Sequence, residues 1–122
     1  MTFSIPWVPP TLNQYSRAHW TRQREWVRIA AVYIHVGLVQ SGHHFPCCER
    51  RENKVRVTIQ QHRRRPVDRD NLTPKVLNDA LVKLGIVVDD NEDHIEQVVL
   101  PVIVDRRAEP RTEITLEDIE ED

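Results

Sequence analysis

Residues 54–85 read KVRVTIQQHRRRPVDRDNLTPKVLNDALVKLG, and the change of period within this stretch decides the fold. In KVRVTIQQ (54–61), Val55, Val57 and Ile59 fall on one side and Lys54, Arg56, Thr58 and Gln60 on the other, the alternation of a half-buried strand. TPKVLNDALVKLG (73–85) spaces Leu77, Leu81 and Leu84 by three and four residues, which predicts a helix. Thr73 is its expected cap, Pro74 its first helical residue and Gly85 its stop. Between the two elements stand three arginines, a proline, and two aspartates separated by one residue.

Working outward, the period of a helix covers residues 21–40, with Trp26, Ile29, Ala30, Tyr33 and Gly37 on its stripe and Thr21 as N-cap. Trp26 and Tyr33 read as core residues of that stripe rather than as a platform for nucleobases. FSIPWV (3–8) is a short strand with Pro6 at an edge or bend, and VPPTLNQYSRAHW (8–20) a proline-started loop. Downstream, IVV (86–88) is a strand or the return from the helix, IEQVVLPVIV (95–104) a strand interrupted by Pro101, and RTEITLE (111–117) an alternating strand. The expected fold class is α/β (α+β): one small domain over 1–116, with a mixed β-sheet, two main helices and an acidic tail at 117–122 that frays.

A chain of 122 residues is long enough to bury one core. Its 39% apolar and 30% charged residues exclude a disordered chain. No apolar run approaches the ~20 residues that span a bilayer. The N-terminus lacks a secretory pattern, so the expected placement is cytoplasmic, with no membrane partner. The net charge of −2 conceals a strong asymmetry. Residues 1–65 hold 11 Lys/Arg and 3 Asp/Glu, whereas residues 66–122 hold 6 and 16. That division fits a polyanionic partner beside an acidic site or tail; folding that mixes the charges on one surface fits it as well. His43, His44, Cys47 and Cys48 in GHHFPCCERR are four possible zinc ligands, but a second pair is missing and an ordinary thiol-bearing loop is the better reading. Adjacent cysteines do not make a disulfide framework.

Asp68 and Asp70 are two apart, so in extended backbone both carboxylates point to one face, and Pro66 disfavours helix just upstream. Asp89-Asp90 follows the second helix at a distance that lets the chain return beside its starting strand. Carboxylates from two segments suit Mg²⁺, which takes oxygen ligands and is held by one or two carboxylates plus phosphate. An EF-hand is excluded, because DRDNLTPK and DDNEDHIE lack the loop glycine and the closing glutamate. Arg63, Arg64, Arg65 and Arg69 flank the aspartates, and Arg17 with further arginines lies near the N-terminus. Lys75 in the first helical turn opposes the helix dipole, which points to a role in binding phosphate or stabilising developing charge. Carboxylates, lysine and arginines together point to metal-assisted cleavage of a phosphodiester.

D-x-D-N-L at 68–72, a lysine, D-A-L at 79–81, Gly85 and D-D at 89–90 resemble the RusA-type Holliday-junction resolvases of bacteria and their prophages. I-P-W-x-P-P followed by N-x-Y (5–15) is similar to that family's N-terminal signature, so the resemblance covers nearly the whole chain. It implies a homodimeric, Mg²⁺- or Mn²⁺-dependent endodeoxyribonuclease of recombination and repair. Such an enzyme binds branched DNA, the four-way junction, by shape and nicks two strands symmetrically to leave 5′-phosphates. Carried onto this sequence, Asp68, Asp70 and Asp90 match the family's metal-binding carboxylates, with Asp89 as a supporting neighbour, and Lys75 its essential lysine. Arg17, Arg63, Arg64, Arg65 and Arg69 are the expected DNA contacts. The family commonly has D-N-L-x-K, whereas here the lysine stands one residue later. Either the helix starts one residue later and the ammonium still reaches the site, or Lys75 points elsewhere. The rival readings are a catalytically inactive DNA-binding relative and a nuclease for other branched DNA.

Overall fold

The computed structural model describes residues 1–42 and 54–119; the histidine–cysteine segment proposed and rejected as a zinc site lies outside them. Strands β1 (Thr2–Ile5), β2 (Val55–Arg63), β3 (Ile95–Val99), β4 (Ile103–Val104) and β5 (Arg111–Asp118) form one mixed sheet. Three helices accompany them: α1 (Leu12–Arg17), α2 (Trp20–Gln40) and α3 (Lys75–Lys83). This is the expected single α+β domain.

The strand order is β1-β5-β2-β3, and β4 shares β3's edge of β2. β5 runs antiparallel to both β1 and β2. β3 and β4 run parallel to β2, with Val55 opposite Ile95 and His62 opposite Ile103. Pro101 divides the predicted strand 95–104 in two because proline has no N–H to give the ladder; its carbonyl instead accepts from the Gln60 side chain. IVV contributes only an isolated bridge at Val87. β5 continues through Asp118, and Ile119 N–H donates to the Lys54 carbonyl (2.9 Å), so the sheet takes in the first residues assigned to the acidic tail.

Val55, Val57 and Ile59 of β2 and Ile114 and Leu116 of β5 are buried on the sheet face that meets α2 and α3. Ile34 and Leu38 of α2, Val76, Leu77, Ala80 and Leu81 of α3, and Phe3 and Ile5 of β1 join them in the core. Each large side chain so buried stabilises by about 1.5–3 kcal/mol before entropy is counted. Trp26 and Tyr33 pack against this core, as their place on the stripe predicts. Gly37 lets α2 approach β1 closely: a Cβ there would lie 3.1 Å from the Ser4 carbonyl oxygen.

In the N-terminal part, one helix start and one loop differ from expectation. α2 begins at Trp20 with His19 as N-cap, its ring Nδ1 accepting from Thr21 N–H (3.3 Å). The residues expected as a loop after Pro10 contain α1, closed by a capping box in which Thr11 and Gln14 exchange hydrogen bonds.

Candidate active site

β2 ends in a tethered corner. Arg63 is half-buried, and its guanidinium donates to the Pro9 carbonyl (2.6 Å) and to Gln61 Oε1 (2.7 Å). Burial pushes its pKa down, although a guanidinium remains charged. The Thr112 hydroxyl donates to the Trp7 carbonyl (2.7 Å), so β2 and β5 together pin the proline loop. That loop delivers α1, whose Asn13 N–H donates to Asn71 Oδ1 (3.0 Å). The N-x-Y and D-x-D-N-L motifs, 58 residues apart from Asn13 to Asn71, therefore touch. Arg63, expected as a DNA contact, instead builds this junction, whereas its neighbours Arg64 and Arg65 are exposed.

Asp68 is extended, and Arg69–Asn71 form one turn of 3₁₀ helix closed by Asn71 N–H to the Asp68 carbonyl (2.8 Å). The expected extended run through Asp70 is thus replaced by a turn. Asp68 and Asp70 nevertheless line one cleft of about 460 Å³ with Asn13, Arg69 and Asn71. Both are exposed, and neither is in an ion pair among the described residues.

α3 starts at Lys75, one residue later than expected, with Pro74 as N-cap and Thr73 Oγ1 accepting from Lys75 N–H (3.2 Å). The late start turns the ammonium toward the acidic loop: Lys75 Nζ lies 3.0 Å from Asp90 Oδ2 and 3.1 Å from Asp79 Oδ1. The hydrogen bond to Asp90 raises the Lys75 pKa, and the same bond holds the Asp90 carboxyl below its ordinary value. Burial pushes Asp79 the other way, upward, against the pull of Lys75. Asp89 serves its own loop, accepting from Asp90 N–H (2.7 Å) and from the Asn91 side chain (3.3 Å). Asp89 thus holds its own loop, while the Asp90 carboxylate is engaged by Lys75. Asn78 donates to Gln97 Oε1 (2.6 Å), and Gln97 donates on to the Val57 carbonyl (3.0 Å), which fixes the roll of α3 against the sheet.

Among the described residues, no three His, Cys, Asp or Glu side chains stand close enough to share an ion. Asp68 and Asp70 form one set and Asp79 and Asp90, bridged by Lys75, another. Two exposed carboxylates on one cleft fit a hard, well-hydrated cation such as Mg²⁺, whose remaining positions go to water and phosphate. They do not make a closed protein cage.

A second cleft, about 610 Å³, is lined by Arg64, Arg65, Pro66 and Arg106. Arg64 donates to the Ala108 carbonyl (3.2 Å) and pairs with Glu109 (2.8 Å), and Asp105 shapes the loop by accepting from Arg107 and Ala108 N–H groups. Arg65, Arg69, Arg106 and the exposed Arg17 have no carboxylate partner among the described residues. Sequence reasoning missed Arg106, because only the pairing of β4 with β2 brings its loop beside Arg64. Asp79 was noted as part of a motif, and its i,i+4 spacing to Lys75 was the available sign of a role. The chain matches no known protein-family model and no curated protein.

Proposed function

We propose that this protein is a divalent-metal-dependent, structure-selective endodeoxyribonuclease acting on four-way DNA junctions, as its resemblance to RusA-type resolvases implies. The observation that carries the reading is the pair of unneutralised carboxylates, Asp68 and Asp70, in a cleft beside arginines that do not pair with them. Exposed charges of both signs that do not neutralise one another are free to take an external ligand that contacts both. A phosphodiester with a divalent cation is such a ligand.

In this reading Asp68 and Asp70 would hold the cation, and Asp90, paired with Lys75, would be available as a further oxygen ligand only if freed from it. The bound Mg²⁺ or Mn²⁺ supplies Lewis acidity and a nucleophilic water near neutral pH. Lys75, kept at the site by Asp79, stabilises negative charge building on the phosphate oxygens. Arg64, Arg65, Arg69 and Arg106 seat the flanking backbone and set the scissile bond against the carboxylates. The asparagine contact between α1 and the 3₁₀ turn keeps the cleft shaped while the strand enters. Paired nicking requires a second copy of the chain, so the enzyme acts as a homodimer, placed in the cytoplasm.

One observation favours the inactive DNA-binding relative: Lys75 occupies Asp90 and leaves two carboxylates for the metal. Nick mapping on labelled four-way, flapped and linear DNA of shared sequence separates the readings. Symmetric nicks in the four-way substrate alone are the expected result. Equal nicking of flaps transfers the activity to other branched DNA, and tight binding without nicks under either metal supports the inactive relative.

A further inference from the structure

Trp20 is, at 57% exposure, the most exposed large apolar side chain among the described residues. The other two tryptophans are placed differently: Trp7 stacks on Tyr33 and Trp26 lies against Tyr15, both packed on the core. Trp20 opens instead onto a pocket of about 360 Å³ whose other walls are Thr21, Arg24, Glu25, Arg28 and Lys83. The Arg24 guanidinium lies over the Trp20 ring, 5.6 Å from its centroid, where an entering base would take its place, and the His19 ring is 5.5 Å away and tilted. Three cations face one carboxylate there, and that carboxylate, Glu25, is held by Arg28. Arg24 and Lys83 have no carboxylate partner among the described residues. A lone aromatic on a protein surface is ordinary, but an aromatic framed by unneutralised cations has the composition of a single-strand platform, where bases stack and cations take the phosphates.

The position of Lys83 links this pocket to the candidate active site. Lys75, Asp79 and Lys83 fall at i, i+4 and i+8 on α3 and so share one helix face. Eight residues of helix span about 12 Å, the rise of three or four nucleotides along one strand. A strand whose phosphate is held at Lys75 therefore reaches Trp20 a few nucleotides further on. In an intact duplex the base faces are buried in the stack and unavailable to the ring. At a branch they can be presented.

We propose that the Trp20 pocket binds one unpaired nucleotide of single-stranded or branched DNA, the base stacking on the indole and the phosphate taken by Arg24 and Lys83. The inference rests on the DNA-binding reading above and adds a specificity site for unpaired bases to it. The test is fluorescence anisotropy with the full chain, a short fluorescein-labelled oligothymidylate, and a blunt labelled duplex. Trp20→Ala is expected to weaken oligothymidylate binding roughly tenfold, while Trp20→Phe, which keeps an aromatic face, retains most of it. Duplex affinity should change by less than about twofold, since it depends on cations that both variants keep. A far-ultraviolet melting curve for each variant identifies loss of fold. If folded Trp20→Ala binds the oligothymidylate as the parent does, or loses both DNAs equally, the inference is overturned and the DNA-binding reading stands. If the parent chain binds neither DNA, the DNA-binding reading falls and the inference with it.

Discussion

Lys75 sits where an ammonium is disfavoured by the helix dipole, and its two carboxylate partners compensate for that cost. The sequence spacing left its direction open, because the missing fact was the helix start. Once Pro74 is the cap, the side chain turns to Asp90. Lys75→Met should lower cleavage at least about 100-fold if the ammonium stabilises developing charge, as read from single-turnover rates. The same variant should return the Asp90 carboxyl upward toward its ordinary range, as read by ¹³C-detected titration. The sign follows from the pair. Asp90 is held low by Lys75, so its contribution to stability is present above the ordinary carboxylate range and is lost as pH falls through its lowered value. Asp79 is raised by burial, so ionising it costs stability as pH rises through that range. The two effects oppose each other, and both groups are partly exposed. Their net effect on stability between mildly acidic and neutral pH should therefore be no more than roughly a few tenths of a kcal/mol.

The elements with a clean period were legible: β2, β5, α2 and α3 follow directly from alternation or from spacing by three and four. α1 was not, because its six residues are too few to show a period, although T-x-x-Q at Thr11–Gln14 was the signature of a capping box. The 3₁₀ turn at Arg69–Asn71 was also hidden, since D-R-D-N suits either a turn or extended chain. Arg63 shows the limit of reading charge from sequence: a member of an arginine run became an internal strut because β2 ends under the proline loop. Arg63→Ala should cost about 2–3 kcal/mol, since it leaves the Pro9 carbonyl and Gln61 unsatisfied in a half-buried corner, and chemical denaturation measures this. The end of α3 makes a second prediction. Gly85 has φ 75° and its N–H donates to the Val82 carbonyl (3.0 Å), while Ile86 N–H donates to Leu81 (3.0 Å), a Schellman closure. Gly85→Ala should destabilise by about 1 kcal/mol, as a downward shift of the melting midpoint.

For the molecule as a whole, the division of charge along the chain becomes a division in space only in part. The candidate acidic site and the arginine cleft are both built around the end of β2, from residues 64–71 joined by Arg106. Sequence exposed the first group and could not expose Arg106, whose place depends on which strand β4 pairs with. Among the described residues no helix is long and apolar enough to cross a membrane. The proposed DNA binding, if it rests on backbone contacts, is salt-dependent, and Arg106→Ala should reduce the slope of log affinity against log salt by about one while leaving the preference among DNA sequences unchanged. The central claim is that Asp68 and Asp70 support metal-dependent strand cleavage, and it is tested most directly on a labelled synthetic four-way junction. The reactions contain Mg²⁺, Mn²⁺ or EDTA, and compare the parent chain with Asp70→Asn. Paired symmetric nicks that vanish in EDTA and in Asp70→Asn, with junction binding retained, are the predicted result. A junction that is bound and never cut under either metal, or cut equally well by Asp70→Asn, contradicts the account.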